Sequence, residues 1–178
     1  MNKIDNFLNN PDLMNSFWDK YIDKGEIKMC LKNKAHDKQL AADSFTTLLP
    51  NTDFLIPLIY DLKVKIDQSL IDSQKIRIYR WFINIHPTGY DGTMHEDNND
   101  NLPTYLYCLA PFWDPEWGGE FITYDDNKEA TNVCSFKPDR LIIFNGSLKH
   151  RGVAPTRLSS LLRVTLAFQT ELLEKIQN

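Results

Sequence analysis

Cysteine is scarce and odd in number: Cys30, Cys108 and Cys134 are the only three, and no C-x-x-C spacing occurs. That excludes a disulfide framework and suits reduced thiols in a cytosol-like compartment. Long apolar runs are also missing, since none approaches the roughly 18 residues that a membrane span needs, so no membrane association is expected. The first twenty residues, MNKIDNFLNNPDLMNSFWDK, lack a continuous apolar core and a small-residue cleavage site. No secretory signal is therefore expected, and a cytoplasmic, intracellular location is the default expectation. Positive charge is not in excess either. Twenty Lys and Arg against 24 Asp and Glu give a formal net charge of −4, which offers no general attraction to nucleic-acid phosphates. Only the segment carrying Lys149, His150, Arg151, Arg157 and Arg163 concentrates basic residues, and a solvated face plus one internal arginine accounts for such a run. Repeats and low-complexity tracts are absent.

What is present is the composition of an ordinary folded domain, 42% hydrophobic and 12% aromatic over 178 residues, enough for one sizeable core. The expectation is a single domain spanning 1–178, with residues 1–75 as a helical N-terminal support region and 76–170 as the core. Asp12 is placed to cap a helix over LMNSFWDKYIDK and Asp53 one over FLIPLIYDLKVKIDQSL, with Pro57 tolerated in the first turn. Between them, KNKAHDKQLAADSFTTLLP is polar and weakly periodic, a loop or short helix rather than a strand. From residue 76 the texture changes to short β-branched and aromatic runs separated by turn residues: IRIYRWFINI, YLYCLAPF, EFITYDD, TNVCSF, RLIIFNG and LLRVTLAFQT. Strands do not alternate with helices, which argues against a doubly wound parallel sheet. Six or more antiparallel strands fit a mainly β jelly roll with the N-terminal helices packed on one outer face.

The residues able to do chemistry are few. His95 and Asp97 stand two apart, so in extended chain they face the same side while Glu96 turns away. His150 follows 53 positions after Asp97 and completes a set of two imidazoles and one carboxylate. Three such donors on one face of an octahedral ion leave three positions open, the arrangement of non-haem Fe(II) oxygenases. Singly, each residue has a plain alternative: TMHEDNNDN could be a solvated loop and His150 a hydrogen-bonded residue at a strand end. A calcium loop is a poor fit to DNNDN, which lacks the sixth-position glycine and distal glutamate. Arg163 shares a strand face with Thr165, Ala167 and Gln169, opposite Leu162, Val164, Leu166 and Phe168. An inward guanidinium keeps its charge and needs an anion. A dicarboxylic cosubstrate would supply one, with Thr165 adding a hydroxyl; reversed strand parity or an internal Asp or Glu are the alternatives.

In this order and spacing, residues 76–170 resemble the Fe(II)- and 2-oxoglutarate-dependent dioxygenases, specifically their prolyl 4-hydroxylase-like branch. The matching pieces are Gly89 and Gly92 before His95-x-Asp97, the strand LPTYLYCL, Trp113-Asp114, Trp117-Gly118-Gly119-Glu120-Phe121, RLIIFNG leading to His150, and RVTLAF around Arg163. The resemblance implies a cupin-like double-stranded β-helix with helices packed on its major sheet. It implies Fe(II) held by His95, Asp97 and His150, and Arg163 paired with the distal carboxylate of 2-oxoglutarate. It places His86 near the metal-bound end of the cosubstrate, and it puts Cys108 where some relatives carry a tyrosine, with Tyr105 and Tyr107 on the other face.

The reaction implied is hydroxylation of a C–H bond using O2, with release of succinate and carbon dioxide and with ascorbate as a candidate reductant. Asp97 is present, unlike in related halogenases, so hydroxylation is the expected outcome. A peptidyl proline or small amino-acid-like molecule is the leading substrate class. Nucleic-acid dealkylases of the same superfamily carry a second arginine six positions after the first, where this chain has Gln169, which lowers that alternative. Jumonji-type demethylases bind the cosubstrate through a lysine elsewhere. A jelly-roll module that binds 2-oxoglutarate without turnover is the non-enzymatic alternative. The segment Lys32–Thr47, the Thr88–Thr93 loop, Trp113, Trp117 and the Asp125–Asn132 turn are candidates to shape the substrate pocket. Oligomeric state is not legible from the sequence.

Overall fold

The structure is a computed structural model that describes residues 1–24, 45–48, 57–70, 76–98 and 100–172. The expected cap at Asp53 and most of the 32–47 segment lie outside the described residues. Nine strands are described: β1 (Asn2–Ile4), β2 (Phe45–Leu48), β3 (Ile76–His86), β4 (Pro103–Leu109), β5 (Phe121–Tyr124), β6 (Ala130–Cys134), β7 (Arg140–Asn145), β8 (Lys149–Gly152) and β9 (Arg163–Leu172). They form a six-stranded sheet in the order β1-β7-β4-β9-β3-β2 and a three-stranded sheet in the order β6-β5-β8. The pairings are antiparallel, so the molecule is a mainly β jelly roll, as the turn-separated strands predict.

Two helices, α1 (Pro11–Phe17) and α2 (Pro57–Leu70), accompany the large sheet. The cap of α1 is Asn10, whose side chain accepts from the Leu13 amide, with Pro11 at the first helical position. Asp12 therefore sits two residues too late to cap and instead places its charge in the first turn, where the helix dipole favours it. A π-helical turn, Trp18–Asp23, continues α1. In α2, Pro57 is the first helical residue, where it forfeits no internal hydrogen bond. Leu58, Ile59, Leu62 and Ile66 recur at helical spacing and are fully buried. Each contributes roughly 1.5–3 kcal/mol by leaving water.

The N-terminal part is not purely helical. Contrary to the loop-or-helix expectation, Phe45–Leu48 forms an edge strand against Ile85–Phe82, and Asn2–Ile4 forms the opposite edge against β7. Both are too short to show a strand period; pairing to an existing sheet decides them. Asp139 fastens the N-terminal stretch, its carboxylate accepting from the Leu8 and Asn9 amides and from the Tyr107 hydroxyl.

Register sorts the large sheet into two faces. Ile85, Ile83 and Trp81 of β3 pair with Val164, Leu166 and Phe168 of β9, which pair in turn with Leu109, Tyr107 and Tyr105 of β4. This row belongs to one buried cluster with Met14, Phe17 and Trp18 and with α2. The opposite row, His86, Asn84 and Phe82 against Arg163, Thr165 and Ala167, continues to Cys108 and Leu106 and faces the small sheet.

Candidate active site

His150 is carried by β8, which the sequence does not announce because KHRG has no β-branched or aromatic residue. Pairing with β5 makes it a strand. The chain from Gly92 to Asn98 then runs antiparallel to 146–152. Gly92 donates to the Gly152 carbonyl at 2.8 Å, His95 and His150 exchange backbone bonds of 3.0 and 2.9 Å, and the Asp97 amide donates to Gly146 at 2.7 Å. Only His95 of that segment forms a β-bridge, so the His-x-Asp triplet lies in extended coil rather than in a strand.

The zipper brings His95, Asp97 and His150 together, with one candidate ligand atom from each lying within 4.8 Å of the others. Nε2 of His95 lies 3.6 Å from Oδ1 of Asp97, and Nε2 of His150 lies 3.7 Å from Oδ2. Each ring presents Nδ1 to a carbonyl at 2.8 Å, His95 to Thr93 and His150 to Leu148. A carbonyl can only accept, so Nδ1 carries the proton and the neutral ring's lone pair sits on Nε2, directed at the space beside Asp97. Backbone orientation of this kind is what metal-bound imidazoles require. Phe121 and Phe144 hold the His150 ring, with centroids 5.3 and 4.6 Å away. Burial raises the Asp97 carboxyl, but the His95 and His150 rings, when protonated in the metal-free site, outweigh it and hold the group down to about 2. Asp97 is therefore an anion over the physiological range. A soft or all-oxygen ion matches this donor set poorly; a divalent transition metal matches it well.

Arg163 is 2% exposed, and its guanidinium lies between the sheets. Nε donates to the Gly119 carbonyl at 2.8 Å, and the group stands over the Phe136 ring at 5.4 Å. Among the described residues no carboxylate lies within ion-pair distance of it. The inward parity expected of Arg163 is thus the one observed, and the alternative of an internal acidic partner finds no support among the described residues. A buried cation without an acidic partner is costly, and an anionic guest would relieve that cost. Gly119, at φ +82, allows the approach: a Cβ there would lie 3.0 Å from Trp113 and 3.3 Å from Cδ of Arg163.

His86 ends β3 and pairs with Arg163 in register. Burial first, then the charges of Arg163 and His95, push its pKa down to about 3, so the ring is neutral, and its buried Nδ1 has no hydrogen-bond partner among the described residues. Thr165, fully buried on the same row, likewise leaves Oγ1 without one. Two orphaned polar atoms beside a cation that has no acidic partner among the described residues would suit a ligand with oxygen acceptors and donors to match. Cys108 pairs with Thr165 on this face, while Tyr107 points away to Asp139, as its strand parity predicts. Trp113 is a wall of the site rather than a free contact, its indole donating to the Gly118 carbonyl at 3.0 Å. Trp117 packs at a tilt against the exposed Phe112, with ring centroids 5.4 Å apart.

Sequence reasoning missed three residues here. Gly152 lies against Arg163 and His86, Phe136 lies under the guanidinium, and Gln169 donates to Oδ1 of Asp97 at 2.7 Å. The strand alternation that points Arg163 inward points Gln169 inward as well, and that was the available signal.

Residues 81–168 match the family model described as the 2OG-Fe(II) oxygenase superfamily. No curated protein matches the chain by sequence. Among solved structures, the fold is similar to a viral collagen prolyl hydroxylase from Paramecium bursaria Chlorella virus-1 in its 2OG complex, at TM-score 0.65 and 17% identity over 95% of this chain and 93% of that one. It is similar to a prolyl hydroxylase from Trichoplax adhaerens in complex with a hypoxia inducible factor peptide, at 0.69 and 18% over 98% and 83%. A Pseudomonas putida prolyl-4-hydroxylase matches at 0.64 and 15% over 94% and 90%. At these identities the likeness establishes the fold.

Proposed function

The chain belongs to the 2OG-Fe(II) oxygenase superfamily and is an oxygenase by that membership; from this premise we propose that it is a prolyl 4-hydroxylase-like hydroxylase acting on a peptidyl proline or a small amino-acid-like substrate. Residues 76–170 are its catalytic core and residues 1–75 its support, within one domain. His95, Asp97 and His150 hold Fe(II); Arg163, with Thr165 and His86 beside it, receives 2-oxoglutarate. Together with O2 these supply the oxidising power that converts a substrate C–H to C–OH while 2-oxoglutarate becomes succinate and carbon dioxide.

The protein's own part is positioning and charge. Asp97 contributes a fixed anion that helps balance the divalent ion, and the carbonyl-anchored imidazoles keep their lone pairs aimed at it. Arg163 neutralises a cosubstrate carboxylate from a buried position, where a charge pair is worth more than at the surface. A neutral His86 adds no second cation to the cradle. Ascorbate is the proposed reductant for restoring the ferrous state. The proline-type substrate rests on the fold shared with prolyl hydroxylases, one of which binds a peptide.

The observation that carries the reading is the buried Arg163, without a carboxylate among the described residues, on the same inter-sheet face as the His-Asp-His cluster. Anaerobic titration of apo-protein with Fe(II) and 2-oxoglutarate tests it through the visible charge-transfer band of the chelate, repeated with Arg163→Met. The expected result is a band in the wild type and a 2-oxoglutarate affinity lower by about 2–5 kcal/mol in the variant, as for loss of one partner of a buried charge pair. Equal affinity in both proteins would sink the cosubstrate assignment. Stoichiometric succinate formation with proline-containing peptides then tests turnover and substrate class.

A further inference from the structure

Building on the metal-site reading, we propose that Gln169 is a positioning residue for the metal-binding carboxylate: fastened by Tyr79, its amide occupies Oδ1 of Asp97 so that Asp97 offers the ion one oxygen rather than two. Gln169 is 2% exposed, on the site-facing row of β9. Its Nε2 donates to Oδ1 of Asp97 at 2.7 Å, and the Tyr79 hydroxyl donates to its Oε1 at 3.2 Å.

The direction of this relay follows from chemistry. An ionised carboxylate only accepts, so the amide must turn its NH2 to Asp97 and its oxygen to Tyr79, which must then donate. Backbone geometry serves the same end. In the β3–β9 ladder, Ile78 pairs with Thr170 and Arg80 with Gln169, so Tyr79 is the extra residue of a β-bulge. A bulge re-aims a side chain that regular alternation would send to the other face, and here it brings the Tyr79 hydroxyl to Gln169.

The consequence is a ligand count. Three single-atom protein donors leave three positions on an octahedral ion, the number a chelating 2-oxo acid and O2 require. A carboxylate free to rotate could chelate through both oxygens and fill one of them. A neutral amide prevents this without adding a cation to compete with the metal for Asp97, as an arginine at the same position would.

The test compares wild type with Gln169→Leu, Tyr79→Phe and the double variant, reading anaerobic Fe(II) affinity and the visible ligand-field spectrum of the Co(II)-loaded protein, whose intensity reports coordination number. Loss of the amide is expected to change the Co(II) spectrum toward a higher coordination number and to shift Fe(II) affinity by about tenfold or more, within the 10–100-fold usual for partners of metal ligands. Tyr79→Phe should act in the same direction but less, and should add nothing in the Leu background, because the two residues form one relay. Unchanged affinity and spectrum in folded Gln169→Leu overturns the proposal, as does simple additivity of the two substitutions. If the Leu variant does not fold, Tyr79→Phe decides, since Tyr79 is 41% exposed; an unaltered Co(II) spectrum overturns the relay. A wild type that forms no Fe(II)–2-oxoglutarate band removes the metal-site reading itself, whereas a normal band with no effect of either substitution removes only this inference.

Discussion

Arg163 lies against Gly152 so closely that a methyl group has no room between them: a Cβ built on Gly152 would fall 2.9 Å from Nη1 of Arg163 and 3.0 Å from Cε1 of His86. The glycine belongs to β8, two residues after His150, so one short strand both supplies a metal-ligating candidate and makes space for the anion-binding one. Gly152→Ala should therefore push the guanidinium out of line. The expected outcome is a 2-oxoglutarate affinity at least several-fold weaker with Fe(II) affinity little changed, measured by calorimetric titration of each in turn. Equal loss of both would mean that β8 as a whole had moved.

The two histidines differ in what else they do. The His95 side chain is 43% exposed, whereas that of His150 is buried against Phe121 and Phe144. Either substitution to alanine should abolish tight Fe(II) binding, because each removes one of three donors. Thermal unfolding of the metal-free proteins should separate them, with His95→Ala near wild type and His150→Ala lower by about 1–3 kcal/mol for the lost packing.

His86 supplies a pH dependence whose sign can be stated. Its folded pKa is about 3, below the ordinary value near 6.5. Between those two values the unfolded chain binds a proton that the folded protein refuses, so stability falls as pH falls through that window, by up to about 1.4 kcal/mol per pH unit. Above pH 6.5 the effect is absent. Denaturant unfolding of wild type and His86→Asn across this range should show a shallower slope in the variant.

Asp139 holds three donors from two distant parts of the chain, the Leu8 and Asn9 amides and the Tyr107 hydroxyl, with its own backbone at φ +56. Asp139→Ala should lower stability by about 2 kcal/mol or more, since it strands donors and places alanine in the left-handed region. Asp139→Asn tolerates that backbone better and should lose less. Chemical denaturation orders the three proteins.

Much of this was local and therefore legible. The six β-rich runs from residue 76 onward, the inward parity of Arg163, the outward turn of Tyr107 and the spacing of His95, Asp97 and His150 all follow from side-chain alternation and residue chemistry. Alternation is a property of the strand itself, so no partner is needed to read it. Other features have no local cause. KHRG and FTTL are strands because a sheet edge was there to receive them, and Asn10 rather than Asp12 caps α1 because the helix begins two residues earlier, at Pro11. Gly152 beside Arg163 and Gln169 on Asp97 join residues 11 and 72 positions apart. Such contacts depend on register between strands and on one bulge at Tyr79, which shifts which side chain meets which. The amino-acid sequence alone therefore determined which residues carry charge, donors and lone pairs, and on which face of each strand. Only the tertiary structure decided which of them meet, because pairing register is set by burial across the whole sheet and not by any one segment.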